Sequence, residues 1–95
     1  MNITSVRTSP SPISGVWFDM DIESTSGTYH ALGKKFKDGS KYGINKGRVS
    51  ILMITHPKGY TCLSYDRGDW YRCNFTEEEH EVLNAVVNYF DNQKN

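Results

Sequence analysis

Residues 16–23 read V-W-F-D-M-D-I-E, and this alternation constrains the chain more than any other feature. Phe18, Met20 and Ile22 share one parity, whereas Trp17, Asp19, Asp21 and Glu23 share the other. A period of two marks a half-buried strand, because successive side chains point to opposite faces. The apolar face of such a strand needs a second layer, and its backbone needs neighbouring strands.

The remaining segments supply both. S-T-S-G at 24–27 reads as a turn, followed by a second strand from about Thr28 to Phe36. K-D-G-S-K-Y-G-I-N-K-G is loop, with Asp38-Gly39 and further glycines at 43 and 47. R-V-S-I-L-M-I-T, residues 48–55, is apolar at nearly every position, as in a central strand covered on both faces. H-P-K-G turns the chain into Y-T-C-L-S-Y-D, and Arg67-Gly68 turns it again into W-Y-R-C-N. Thr76 and Glu79 fit a helix-opening capping box, and glutamates 77, 78 and 79 suit the positive end of the helix dipole. Leu83, Val86, Val87 and Phe90 then form one apolar stripe. The expected fold is α+β: a five-stranded antiparallel meander sheet with one C-terminal helix packed on one face. Residues 1–13, rich in Ser, Thr and Pro, read as a flexible N-terminal arm; 14–95 form a single domain.

Charge and length exclude several classes. Eleven Lys and Arg balance eleven Asp and Glu, so there is no basic field to draw in duplex nucleic acid. The longest apolar run, Ile51 to Ile54, is far below the ~20 residues of a membrane-spanning helix. The N-terminus lacks the apolar stretch of a secretion signal, and two cysteines make no disulfide framework. The expectation is a cytoplasmic protein with reduced thiols, needing no cofactor. His30, His56 and His80 show no metal spacing.

Tight turns fix register, so the faces can be assigned. Asp21 should face His30, Trp17 should face Lys34, and Tyr65 should face Trp70; the same reasoning sets Met53 opposite Cys62, Leu63 opposite Arg72 and Cys62 opposite Cys73. One face is then a core of Phe18, Met20, Ile22, Tyr29, Ala31, Val49, Ile51, Met53, Tyr60, Cys62, Tyr71, Cys73 and Phe75. The other carries Trp17, Asp19, Asp21, His30, Arg48, Ser50, Leu52, Leu63, Tyr65, Trp70 and Arg72. Aromatics interleaved with arginine can stack a ring and hold a phosphate. The candidate ligand-binding residues are therefore Trp17, Arg48, Tyr65, Arg67, Trp70 and Arg72, for a nucleotide-like small molecule or for assembly into a homo-oligomer. Asp21 and His30 form a candidate acid–base pair, with an ordinary cross-strand charge pair as the simpler reading. The glycine- and lysine-rich loop could hold an anion through its N–H groups, but it lacks P-loop spacing and reads more simply as a connector. Arg67-Gly68-Asp69 matches the integrin-binding tripeptide, but its plain reading is hairpin-turn chemistry.

K-K-F-K-D-G-S-K-Y-G-I-N-K-G-R-V-S, followed later by Y-D-R-G-D-W, resembles a small domain-of-unknown-function family of bacteriophages and Gram-positive bacteria. The matching positions are Trp17, Phe36, Ser40, Tyr42, Gly43, Ile44, Gly47, Arg48, Ser50, Tyr65, Asp66, Arg67, Gly68 and Trp70, within a span of about 14 to 92. The chain departs from the pattern in having Lys37 in place of an acid and an additional Asp69 before Trp70. The resemblance implies no established activity. It implies a phage or prophage accessory protein of counter-defence type, non-enzymatic, that either sequesters a nucleotide-like signal or inhibits a host protein; a small enzyme using Asp21 and His30 is the third reading.

Overall fold

The computed structural model describes residues 1–72 and 75–93, with only the backbone of Arg72. The elements are β1 (Asn2–Pro10), β2 (Val16–Ser24), β3 (Gly27–Lys35), β4 (Val49–Thr55), β5 (Thr61–Asp66), β6 (Asp69–Arg72) and α1 (Glu77–Asp91). The strands form one antiparallel sheet in the order β1-β2-β3-β4-β5-β6, and α1 crosses one face over β3 and β4.

The α+β meander and its C-terminal helix are as expected, but the sheet has six strands rather than five. The additional one is β1, drawn from the segment read as a flexible arm. It pairs with β2 from Asn2↔Glu23 to Pro10↔Val16, and Ile3 and Val6 pack against the core. A bulge between Ile3 and Ser5 breaks its alternation, and its remaining side chains are mostly polar, so edge pairing leaves little trace in the sequence.

The hairpin between β2 and β3 has the expected register, with Asp21↔His30 and Trp17↔Lys34. Helix α1 opens on the expected capping box. The Glu79 N–H donates to the Thr76 hydroxyl at 3.2 Å, and the Thr76 N–H donates to Glu79 Oε1 at 2.7 Å. Its stripe, Val82, Leu83, Val86, Val87 and Phe90, buries against Phe18, Met20, Ile22, Tyr29, Ala31, Leu52, Ile54 and Leu63. Phe18 and Phe90 meet at 4.4 Å between ring centroids.

The phase of the second half is reversed from the expectation. Ala31 pairs with Ile54 and Gly33 with Leu52, so Leu52, Ile54, Leu63 and Tyr65 lie under the helix. Met53, Tyr60 and Tyr71 are exposed, and Ile51 is half-buried. Four of the residues expected in the core are thus outside it, and Leu52, Leu63 and Tyr65 are inside. The β4 strand is central yet covered on one face. The cause is a connection of more than ten residues between β3 and β4, with a bulge at Lys34/Lys35, which carries no register across. A one-residue shift there turns over the side chains that follow, Ile51, Leu52, Met53, Leu63 and Tyr65 among them, while Val49 and Cys62 stay buried. Three pairings also move: Met53 faces Ser64 rather than Cys62, Leu63 faces Ile54 rather than Leu52, with a bulge at Ile54/Thr55, and Arg72 faces Ser64 rather than Leu63. Tyr65↔Trp70 stands as expected, across the Arg67-Gly68 turn with φ of 46° and 107°. The expected Cys62–Cys73 apposition lies outside the described residues, as does the side chain of Arg72.

Candidate functional site

An antiparallel meander gathers alternate connections at one end of its sheet. Here these are the 11–15 segment between β1 and β2, the 36–48 loop between β3 and β4, and the Arg67-Gly68 turn. The long loop is cross-linked by its own backbone hydrogen bonds. Within it, the Gly43 N–H donates to the Ser40 carbonyl (3.1 Å), the Ser40 N–H to the Gly47 carbonyl (3.2 Å), and the Gly47 N–H to the Ile44 carbonyl (2.9 Å). A Cβ on Gly43 would lie 1.9 Å from the Gly47 carbonyl oxygen, and one on Gly47 would lie 2.3 Å from Asp91 Oδ2. Gly43 therefore accepts no side chain, and one at Gly47 would displace the Asp91 carboxylate. Ile44 is buried in the core and pins the loop from below.

Two contacts from outside the loop hold it in place. Asp91, at the end of α1, accepts the Arg48 N–H at 2.8 Å. The Tyr65 hydroxyl donates to the Tyr42 carbonyl at 2.7 Å. Burial holds the Tyr65 phenol above its ordinary pKa, so it remains a donor.

Between the loop, the 11–15 segment and the β5–β6 turn lies a cleft of about 540 Å³, within the range of small-molecule sites. Phe36 and Tyr42 supply aromatic surface, Ser40 and Ser50 hydroxyls, Lys37 and Arg67 cations, and Asp38 one carboxylate. The Arg67 Nε donates to Asp66 Oδ1 at 2.9 Å, which engages one of the five N–H donors of its guanidinium. The Arg67 N–H donates to the Ser50 carbonyl at 2.7 Å, tying the turn to β4. Ser50 itself is 2 % exposed, and among the described residues its hydroxyl has no hydrogen-bond partner. Leaving a buried hydroxyl unsatisfied costs about 1–3 kcal/mol.

Of the expected ligand-binding residues, Arg67 lines this cleft. Tyr65 lies beneath it as a buried brace. Arg48 sits at the loop's end, with its backbone fixed by Asp91. Trp70 packs edge-on against Tyr65 at 4.6 Å and is 41 % exposed on the helix side. Trp17 lies on the opposite face, with Lys34 Nζ 5.3 Å from its ring, beside a smaller cleft of about 270 Å³ shared with Arg7, Asp19 and Leu32. The single aromatic–arginine face expected from the sequence is therefore divided between two faces, for the same reason that the strand phase reversed.

Asp21 and His30 do meet, with His30 Nδ1 2.8 Å from Asp21 Oδ1. The sequence pattern did not anticipate Arg7. From β1 it ion-pairs with Asp19 and lies 3.5 Å from Asp21 Oδ2. The His30 hydrogen bond, with Arg7's charge, holds the Asp21 carboxyl below its usual pKa. The cluster forms a charge network on an open sheet face. Among the described residues, no group of three or more His, Cys, Asp or Glu side chains could hold a metal ion. No helix among them is long and apolar enough to cross a membrane.

Phe36 and Ser50 were not among the expected site residues, and Lys37, Ser40 and Tyr42 belong to the loop that was weighed as an anion holder but read as a connector. A signal was present: all but Lys37 are positions of the motif that carried the family resemblance, and the structure brings them together around one cleft.

The fold and cleft thus define a small meander-and-helix domain with a loop-built pocket at one sheet end. The chain belongs to the family described as Domain of unknown function (DUF7678), which matches residues 16–91. Strand β1 precedes the matched span. No curated protein and no solved structure matches the chain.

Proposed function

We propose that this protein is a non-enzymatic small-molecule binding domain that takes a planar, anionic, nucleotide-like ligand in the loop-end cleft. The observation that carries this reading is the buried, unpartnered Ser50 hydroxyl in a cleft with aromatic lining, in which Lys37 and Arg67 outnumber the one acid, Asp38. Aromatic surface suits a planar ring, and Arg67 with Lys37 suits a phosphate or carboxylate. Bracing by Tyr65, Asp91 and Ile44 favours affinity, because a preformed site loses little freedom on binding. On this reading the protein acts by sequestration, as a cytoplasmic accessory of the phage counter-defence type that the resemblance implied.

Native mass spectrometry of protein purified gently from cells tests the proposal. Extra mass of nucleotide size, lost from Arg67→Ala that remains folded, is the expected result. Protein that carries no such mass, and gains none on mixing with millimolar nucleoside monophosphates, would contradict it.

A second reading is favoured by a separate observation. The sheet face away from α1 exposes Trp17 (38 %), Leu32 (42 %) and Met53 (40 %). Apolar area of this kind suits a protein partner, either a second copy or a host factor. The same spectra report subunit number, and a dimer lost on Leu32→Asp or Met53→Asp would support this reading.

A further inference from the structure

Ser50 lies on the strand parity of Leu52 and Ile54, where an apolar side chain would bury without penalty. A hydroxyl in that position brings a donor and an acceptor into a place where the chain pairs neither. The Arg67 N–H bond to the Ser50 carbonyl fixes the spacing between this hydroxyl and the turn that carries the guanidinium.

We infer that Ser50 determines ligand specificity: its hydroxyl pairs with a hydrogen-bonding edge of a planar heteroaromatic ring, while the ligand's anionic group meets Arg67 and Lys37. This rests on the reading of the loop-end cleft as the ligand site. The ligand class is a heteroaromatic ring with an acceptor or donor at one edge and a phosphate or carboxylate at the other end. A plain hydrocarbon ring with the same anion meets Phe36, Tyr42 and the cations equally well but leaves Ser50 unpaired. Selectivity then comes from a neutral hydrogen bond formed in a dry place, about tenfold in affinity.

The test is calorimetric titration of wild type and Ser50→Ala with AMP, GMP, phenyl phosphate and inorganic phosphate, beside thermal melts of both ligand-free proteins. Wild type is expected to bind at least one nucleoside monophosphate more tightly than phenyl phosphate. In Ser50→Ala that ratio should fall about tenfold, with a melting temperature equal to or above that of wild type, because the substitution removes an unsatisfied group. An unchanged ratio, or a Ser50→Ala protein that melts below wild type, would overturn the role of Ser50 while leaving the cleft as a binding site. If none of the ring compounds binds wild type, the cleft reading itself falls, and the specificity role falls with it.

Discussion

The loop-end cleft and the open sheet face both combine aromatic and charged side chains, yet their polar groups are in opposite states. On the open face, Arg7, Asp19, Asp21 and His30 are paired with one another across three strands. These side chains are exposed or half-buried, and surface pairs of this kind contribute little to stability. In the cleft, the loop and its braces are satisfied, but the Ser50 hydroxyl is not. The comparison teaches that a cluster of charged residues is weak evidence for a site when the cluster completes itself. A braced cavity with one unmet polar group is stronger evidence, because folding alone gives no reason for it.

Substitutions can break this contrast, beginning with the largest effect. Gly43→Val would set a Cβ 1.9 Å from the Gly47 carbonyl oxygen. It is expected to cost on the order of 3 kcal/mol and to remove ligand binding, read by urea denaturation and titration. Tyr65→Phe keeps the ring in the core and deletes the donor to the Tyr42 carbonyl. Its expected cost is about 1 kcal/mol, with weaker ligand affinity, because the loop loses a brace while the fold stays. A Tyr65→Phe protein with unchanged affinity would show that the cleft does not depend on that brace.

The smallest effect is expected on the open face. Arg7→Ala should leave ligand affinity unchanged and shift the melting temperature less than either variant above, with the difference shrinking in high salt.

Acid reaches two carboxylates outside the cleft, Asp21 on the open face and Glu78 in the first turn of α1. The Asp21 carboxyl is depressed chiefly by its His30 hydrogen bond, and the Glu78 carboxyl by hydroxyls, Tyr29 first and then Ser26. A carboxyl with a lowered folded-state pKa contributes stability that is complete above its unfolded value and disappears as pH falls through the folded one. Melts at pH 7 and at progressively lower pH should therefore show the gap between wild type and a Glu78→Gln, Asp21→Asn double variant closing at the acid end. A gap that widens on acidification would contradict the assignment of both carboxylates.

How much of this was legible in the sequence varied by element. The β2–β3 register was readable because Thr25 and Ser26 make a tight turn that carries phase from one strand to the next. Helix α1 was readable because Thr76, Glu79 and the stripe through Phe90 all point to the same element. β1 was not, because an edge strand held by ladder hydrogen bonds, bulged at Thr4 and lined by Ser and Thr, has the composition of a loop. The faces of β4 to β6 were not, because the 36–48 loop breaks the phase and I-L-M-I is apolar on both parities. Of the site, Arg67 was found from its residue type. Ser50 was marked only as a motif position, because the absence of a partner for its hydroxyl is a property of the packed structure and not of the strand pattern.

A two-dimensional amide NMR titration of the wild-type protein with a nucleoside monophosphate distinguishes the cleft from the open sheet face as the ligand site. The account predicts shifts concentrated in residues 36–42, at Ser50 and at Arg67-Gly68, with Trp17, Leu32 and Met53 unmoved. Shifts confined to Trp17, Leu32, Met53 and their strands would contradict it and move the site to the open sheet face.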